Sequence, residues 1–379
     1  MIKLLVIIHS LKGGGAERVV INLLKGLDRD KFSITLVLYE RILDFPLPNK
    51  IEVEILNIYA GKNIFTLGVG FIRKIIHLSG LIRKAGPDIV FSLLSSTNVT
   101  VILAKLFSGI HCKVIISEHT HPSLNLKNER FGWITKLFMR YVYPYADTII
   151  AVSGGIKNDL LRDFHLPDNK IVVIYNPADL KEIQIRSRET ADHQWFHDDI
   201  PVIISVGRLT KQKGYPYLIK AFSLARRSLP CRLMILGEGE DKERLIAMAR
   251  KLGIARDVEF LGFRENPFPY MAKASLFVLS SLYEGFGNVI VEAMALGLPV
   301  ISTDCPSGPS EIIDDKKNGI LVPVQDEYSI ARAITEVLTN KALREHLGME
   351  AKRKSEVFAL EKIMKDYGRV FSENSSYSV

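Results

Sequence analysis

The chain has 379 residues, room for two α/β domains with substantial cores, which excludes a small scaffold stapled by cysteines. Hydrophobic residues make up 47% and charged residues 24%, values that exclude wholesale disorder, collagen-like repeats and coiled coil. The net charge of +8 lies in one half: residues 1–190 hold 25 Lys and Arg against 17 Asp and Glu, whereas residues 191–379 hold 25 against 25.

In chain order, KLLVIIH reads as a buried strand, LKGGG as a breaker, AERVVINLLKGL as a helix and FSITLVLY as a second strand, the βαβ unit of a parallel sheet. The alternation continues through IEVEIL, FIRKIIHLSGLIRKA, DIVFSLL, VTVILAKLFS, KVIISEH, FGWITKLFMRYVY, DTIIAVS, GGIKNDLLRDF and IVVIYNP. The short apolar run at the N-terminus lacks a small-residue cleavage site and reads as a strand, not a signal peptide. No stretch of eighteen residues is apolar enough to span a membrane.

Residues 180–199 (LKEIQIRSRETADHQWFHDD) have no clean period and read as a linker. A second series then starts: PVIISVG, YLIKAFSLARRS, RLMILG, DKERLIAMARKLG, VEFLG, NPFPYMAKA, SLFVLS, NVIVEAMALG, PVISTD, GILVPV, and helices as far as Phe371. Two Rossmann-like series predict two α/β domains facing each other across a cleft, with ligands at the carboxyl ends of the strands. Cys112, Cys231 and Cys305 are widely separated, so neither a zinc site nor a disulfide framework is suggested, and a reducing cytoplasm fits.

Four strand ends carry candidate chemistry. Gly13, Gly14 and Gly15 follow the first strand and open a helix, where backbone N–H groups can approach an oxyanion. By itself this loop is equally a turn that needs positive φ, and it is not the dinucleotide-binding G-x-G-x-x-G. Arg208 and Lys213 follow PVIISVG five residues apart, suited to the two phosphates of a diphosphate, with Lys211 a third cation. In YEGFGNVIVEAMALG, Glu284 lies in the loop after a strand and Glu292 in the early turns of the next helix. Hydroxyl acceptors beside donors for phosphate describe a nucleotide sugar, although Glu292 could simply favour the helix dipole. Glu118, His119, Thr120 and His121 follow KVIIS; substrate contact by the histidine outweighs metal binding, because no second cluster completes a site.

With GGGAERVV, ISEH, VSGGIKNDL, YNP, SVGRLTKQKG, LGEGED, LGF and YEGFGNVIVEAMALGLPVISTDCPSGPSEII in order along the whole chain, the sequence resembles the retaining glycosyltransferases of family four, with the GT-B fold. The resemblance implies that Arg208 and Lys213 bind the donor diphosphate and Glu292 the ribose hydroxyls. Glu284 would meet the hydroxyls of the transferred sugar, and the backbone of Phe286, Gly287 and Asn288 would contact sugar and phosphate. His119 would lie over the donor sugar, Gly14 and Gly15 would touch the diphosphate, and Gly262 and Phe263 would form the base-binding edge. It further implies transfer with retention from a UDP-sugar without a cofactor or a metal, because Arg, Lys and helix dipoles neutralise the leaving diphosphate.

The implied organisation is residues 1–180 as acceptor domain, 198–354 as nucleotide-sugar domain, and a C-terminal helix at about 355–379 crossing back onto the first. Between Ile55 and Ser117 lie Lys62, Arg73, Lys74, Arg83, Lys84, Lys105 and Lys113 with one acid, Asp88. Composition alone leaves nucleic acid, anionic lipid and phosphorylated substrate open as partners. The resemblance narrows this to a polyprenyl-diphosphate-linked or other lipid-linked glycan acceptor, giving a cytoplasmic enzyme peripheral on the inner membrane face and adding N-acetylhexosamine or hexose to surface glycans. Nucleic acid drops out, since Glu284 and Glu292 would repel a phosphate backbone. Other readings are a sugar-nucleotide epimerase or hydrolase on the same architecture, or a non-catalytic nucleotide-sugar binding module.

Overall fold

The computed structural model describes residues 1–44, 46–48, 51–58, 64–129 and 131–373, with backbone alone for 64–67. Lys62 and the end of the C-terminal segment after residue 373 lie outside the described residues. The chain divides into two compact units, one formed by Met1–Pro177 with the segment from Leu360 onward, the other by Ala178–Ala359.

The first unit is built on seven strands: β1 (Ile2–Ile8), β2 (Phe32–Leu38), β3 (Glu52–Ile55), β4 (Ile89–Leu93), β5 (Lys113–Glu118), β6 (Thr148–Ala151) and β7 (Ile171–Val173). Their order is β3-β2-β1-β4-β5-β6-β7, and every neighbouring pair is parallel. Parallel strands need crossover helices, which cover both sheet faces, so the central strands are apolar throughout instead of alternating. All five residues of β4 are buried, whereas edge strand β3 is nowhere fully buried. The chain runs outward from β1 to β3 on one side and from β4 to β7 on the other, so the topological switch point lies between β1 and β4.

The helix Leu360–Glu373 closes this unit. It buries Ile363, Met364, Tyr367 and Phe371, one stripe at helical spacing. Phe371 meets Phe91 of β4 at 5.3 Å and Phe32 of β2 at 6.0 Å, and Tyr367 meets Phe91 at 6.1 Å, all edge-on. Burying such side chains is worth about 1.5–3 kcal/mol each, which holds the last helix on a sheet formed from residues far earlier in the chain.

The second unit has six strands: β8 (Val202–Val206), β9 (Arg232–Leu236), β10 (Val258–Gly262), β11 (Leu276–Leu279), β12 (Val300–Thr303) and β13 (Ile320–Val322). Their order is β10-β9-β8-β11-β12-β13, also all parallel, with the switch point between β8 and β11. Residues 180–199 are not a featureless linker. Asp179 caps the helix Leu180–Arg186, accepting from Glu182 N at 3.0 Å. Gln184 Nε2 donates to Ala295 O at 2.6 Å and Asn266 Nδ2 to Arg186 O at 2.9 Å, which sews the segment into the second unit. That unit therefore begins at Ala178 and ends at Ala359, wider than the span 198–354 that the resemblance implied.

Candidate active site

The loops after β8 and β11, at the switch point of the second sheet, are stitched together by the chain itself. Leu282 N donates to Gln212 O at 2.7 Å, Gln212 Nε2 to Tyr283 O at 2.9 Å, and Ser280 Oγ to Lys213 O at 2.9 Å. Gly214 sits at φ 62°, and a Cβ there would lie 2.1 Å from Ser280 O, so both conformation and space demand glycine. This stitching carries Lys213 to Glu284: Nζ lies 2.6 Å from Oε1, with only 15% and 7% of the two side chains exposed. Ser281 Oγ donates to the same Oε1 at 2.6 Å. With two donors on one oxygen, the other carboxylate oxygen is left to accept from a ligand hydroxyl. Arg208 stands exposed at the end of β8.

Phe286 is buried edge-on against Phe358 at 5.4 Å, so its ring serves the packing of the second unit. Gly287, at φ 101°, is the N-cap of the helix Asn288–Ala295 and contributes no capping side chain. Glu292 is buried in that helix's second turn. Gly262 ends β10 at φ 73°, and Phe263, 49% exposed, lies just beyond the end of this edge strand. Gly262 O accepts from Gly237 N at 2.9 Å, so the loops after β9 and β10 form one continuous rim with that after β8, where Gly207 N donates to Leu236 O.

In the first unit, Gly14 is the extended N-cap of the helix Gly15–Gly26 and lies at the β1 edge of the switch point. The Glu17 carboxylate is folded against it, so close that a Cβ on Gly14 would lie 2.1 Å from Glu17 Oε2. An anion of the protein thus stands at the helix end where the resemblance puts phosphate, a competitor that the glycines alone did not reveal.

His119, just beyond β5, is 9% exposed. Its Nε2 lies 2.9 Å from Ser117 Oγ, and its buried Nδ1 has no hydrogen-bond partner among the described residues. Burial lowers its pKa to about 3, so the ring is neutral at physiological pH. Its neighbours serve the scaffold. Glu118 is fully buried and accepts from Tyr143 Oη, from Asn98 Nδ2 at 2.9 Å and from Ser95 Oγ at 2.9 Å. Burial raises its pKa to about 7 despite these donors. His121 Nδ1 pairs with Asp159 Oδ2 at 3.3 Å. The run from Glu118 to His121 is therefore not a cluster aimed at one ligand, and among the described residues no group of three or more His, Cys, Asp or Glu is arranged to hold a metal ion.

One group escaped sequence reasoning. At the carboxyl ends of β1 and β2, His9 Nε2 lies 3.4 Å from Glu40 Oε1, and Lys74 Nζ sits 4.7 Å from the centre of the Tyr39 ring. The available signal was position, since His9 and Tyr39 each directly follow a strand. Leu94, which follows β4, takes φ 76°, a strained value for a branched residue that no sequence pattern marked.

Two parallel sheets, one carrying cations, a carboxylate acceptor and an uncapped helix at its switch point, define a GT-B glycosyltransferase. Residues 13–182 match the family model described as Glycosyltransferase Family 4, and residues 187–354 the one described as Glycosyl transferases group 1. The chain belongs to glycosyltransferase family 4. It is 34% identical, over 97% of its length and 98% of the relative's, to the N-acetylgalactosamine-N,N'-diacetylbacillosaminyl-diphospho-undecaprenol 4-alpha-N-acetylgalactosaminyltransferase of Campylobacter jejuni. It is 29% identical to the lipopolysaccharide 1,6-galactosyltransferase of Salmonella typhimurium, covering 69% of each chain. Its fold matches Anabaena HepE in complex with UDP with a TM-score of 0.79 at 20% identity, covering 98% of this chain and 100% of that one.

Proposed function

We propose that this glycosyltransferase moves an N-acetylhexosamine or hexose, with retention, from a UDP-sugar to a saccharide carried on a lipid diphosphate in surface-glycan assembly. The observation that carries the donor half is the buried Lys213–Glu284 pair at the β8/β11 switch point. In this reading Arg208 and Lys213 take the donor diphosphate, helped by the N-terminus of Asn288–Ala295 and the backbone from Phe286 to Asn288. As the bond to the sugar breaks, negative charge grows on the leaving phosphate, and these groups stabilise it without requiring a metal. Glu284 orients the sugar through its open carboxylate oxygen, Glu292 takes the ribose hydroxyls, and Phe263 with Gly262 faces the base. By the resemblance, His119, Gly14 and Gly15 are the candidate sugar-nucleotide contacts at the carboxyl edge of the first sheet. The acceptor class follows the Campylobacter relative, which resembles this chain over nearly its whole length.

The first unit supplies a surface suited to such an acceptor. The helices Ile64–Ala85, Ser95–Ser108 and Gly132–Val142 contain no acid, and they carry Arg73, Lys74, Arg83, Lys84, Lys105, Lys136 and Arg140. Two of them meet through Phe71 and Phe138 at 5.8 Å. Ile76, Phe107, Trp133 and Tyr141 are 63%, 69%, 69% and 62% exposed, apolar bodies among cations, as on a surface that lies in a bilayer interface. No helix among the described residues is long and apolar enough to cross a membrane.

Incubating the protein with UDP-N-acetylhexosamines or UDP-hexoses and an undecaprenyl-diphosphate-linked saccharide should lengthen the saccharide by one residue in α-linkage, read by mass spectrometry and NMR. Isomerisation of the UDP-sugar without acceptor would instead establish the epimerase reading. Sedimentation with vesicles should show binding to anionic but not zwitterionic bilayers and its loss at high salt, and a double Trp133→Ala, Tyr141→Ala variant should bind several-fold more weakly. Equal binding to both vesicle types would overturn the membrane assignment.

A further inference from the structure

We propose that Glu238 and Lys242 read the base of the donor nucleotide, selecting an edge that sets a carbonyl beside a ring N–H, as in uracil, over one that sets an amino group beside a bare ring nitrogen, as in cytosine. This rests on the function proposed above for the place of the base, at Gly262 and Phe263, and adds the side chains that recognise it. Glu238 lies in the loop after β9, and Lys242 opens the helix Lys242–Lys251. Lys242 Nζ donates to Glu238 Oε1 at 2.8 Å. The carboxylate is turned onto the end of β10, where a Cβ on Gly262 would lie 2.7 Å from Glu238 Oε1. Gly262 carries no such atom, and its φ of 73° suits glycine. Phe263 follows directly and is exposed, an aromatic face on which a base can stack. The loop that carries Glu238 is seated by its backbone on the loop after β8, which holds Arg208. Leu209 N donates to Glu238 O at 2.9 Å, and Asp241 N to Leu209 O at 3.0 Å. A Cβ on Gly237 would lie 1.9 Å from Gly207 O, and one on Gly239 2.3 Å from Leu209 O.

As an ion pair, Lys242 and Glu238 contribute little to stability, since 30% and 51% of their side chains are exposed. That exposure leaves hydrogen-bonding capacity for a ligand. An ammonium has three protons and spends one on Glu238, and the carboxylate keeps further lone pairs. A donor and an acceptor thus stand side by side, the complement of uracil's O4 and N3–H. Cytosine presents its amino group to the ammonium and its bare N3 to the carboxylate, a mismatch at both positions. The ribose and diphosphate fix where the base lies, so it cannot slide to repair the register. Adenine repeats the cytosine pattern and guanine the uracil one, so the pair excludes cytosine and adenine.

Calorimetry with UDP, CDP, GDP and ADP tests the pair on the full chain, with melting curves to check that each variant is folded. The wild type should bind UDP about tenfold or more tightly than CDP, the size of one hydrogen bond to a charged group. Glu238→Ala and Lys242→Ala should each bring that ratio toward one, mainly by weakening UDP. Glu238→Gln should narrow it from the other side, because its amide can donate to the bare N3 of cytosine. A ratio of UDP to CDP affinity unchanged in Glu238→Ala would overturn the inference while leaving the UDP-sugar reading in place. A wild type that prefers GDP, and loses its preference over ADP in Glu238→Ala, would keep the pair's role and correct the donor. Binding of none of the four would sink both.

Discussion

Replacing Lys213 by alanine should lower transfer by roughly 10²–10³, the range found when one preorganised donor to developing negative charge is removed. The same change should weaken UDP binding, measured by calorimetry, because the ammonium meets ground-state and transition-state phosphate alike. Glu284→Gln should separate the two roles. It keeps the volume and one acceptor oxygen, and it frees Lys213 from a carboxylate 2.6 Å away, so UDP should bind as well as before or better while kcat falls steeply. Removing one member of a buried pair strands the other charge, so circular dichroism and melting of both variants belong with the kinetics. Near-normal transfer by Lys213→Ala would remove this pair from the chemistry, and equal loss of UDP affinity in both variants would make Glu284 a structural prop for Lys213.

The second large effect is a pair of opposed titrations on adjacent residues. Glu118 has its pKa raised by burial from 4.5 to about 7, so between these values the native state holds a proton that the unfolded chain releases. Its contribution to stability therefore falls as pH rises through that window and is constant above it. His119 has its pKa lowered by burial from 6.5 to about 3, so over that window the unfolded chain takes up a proton that the native state refuses, and stability falls as pH drops. From about pH 4.5 to 6.5 the two slopes have opposite signs and cancel. Glu118→Gln, which resembles the protonated residue, should unmask the histidine. It should be indistinguishable from wild type below pH 4.5 and gain progressively to about 3 kcal/mol by pH 7 to 8 in urea denaturation. His119→Asn should leave the opposite trend, with stability falling from pH 4.5 to 7. A constant difference between Glu118→Gln and wild type from pH 4 to 8 would mean that Glu118 titrates as an ordinary surface carboxylate.

Both results turn on neighbours that sequence could place only in part. The alternation of apolar runs and 3.6-residue periods was sufficient to identify two parallel-sheet units, because a strand covered on both faces must be apolar throughout. It failed where elements are too short for a period to register. The helix Leu180–Arg186 is held by the Asp179 cap and by hydrogen bonds to Ala295 and Asn266, and the helix Pro122–Lys127 has only six residues.

By itself, the sequence determined the parallel α/β architecture, the loops that end its strands and the residue types carried there: Arg208, Lys213, Glu284, Glu292 and His119. Local spacing is enough for that, because a strand followed by glycines and a helix forms its loop from contiguous residues. Tertiary structure decided which of these residues act on one another. Lys213 and Glu284 are 71 positions apart and meet because β8 and β11 are neighbours in the sheet, an order set by crossovers and not by local pattern. Glu118 and His119 are adjacent in sequence yet shift in opposite directions, because burial favours the neutral form of each, the protonated acid and the unprotonated base. Tyr367 and Phe371 meet Phe91 of β4 only because the last helix buries its apolar stripe on the first sheet, and the free energy of that burial draws residues from the far end of the chain onto strands formed much earlier in it.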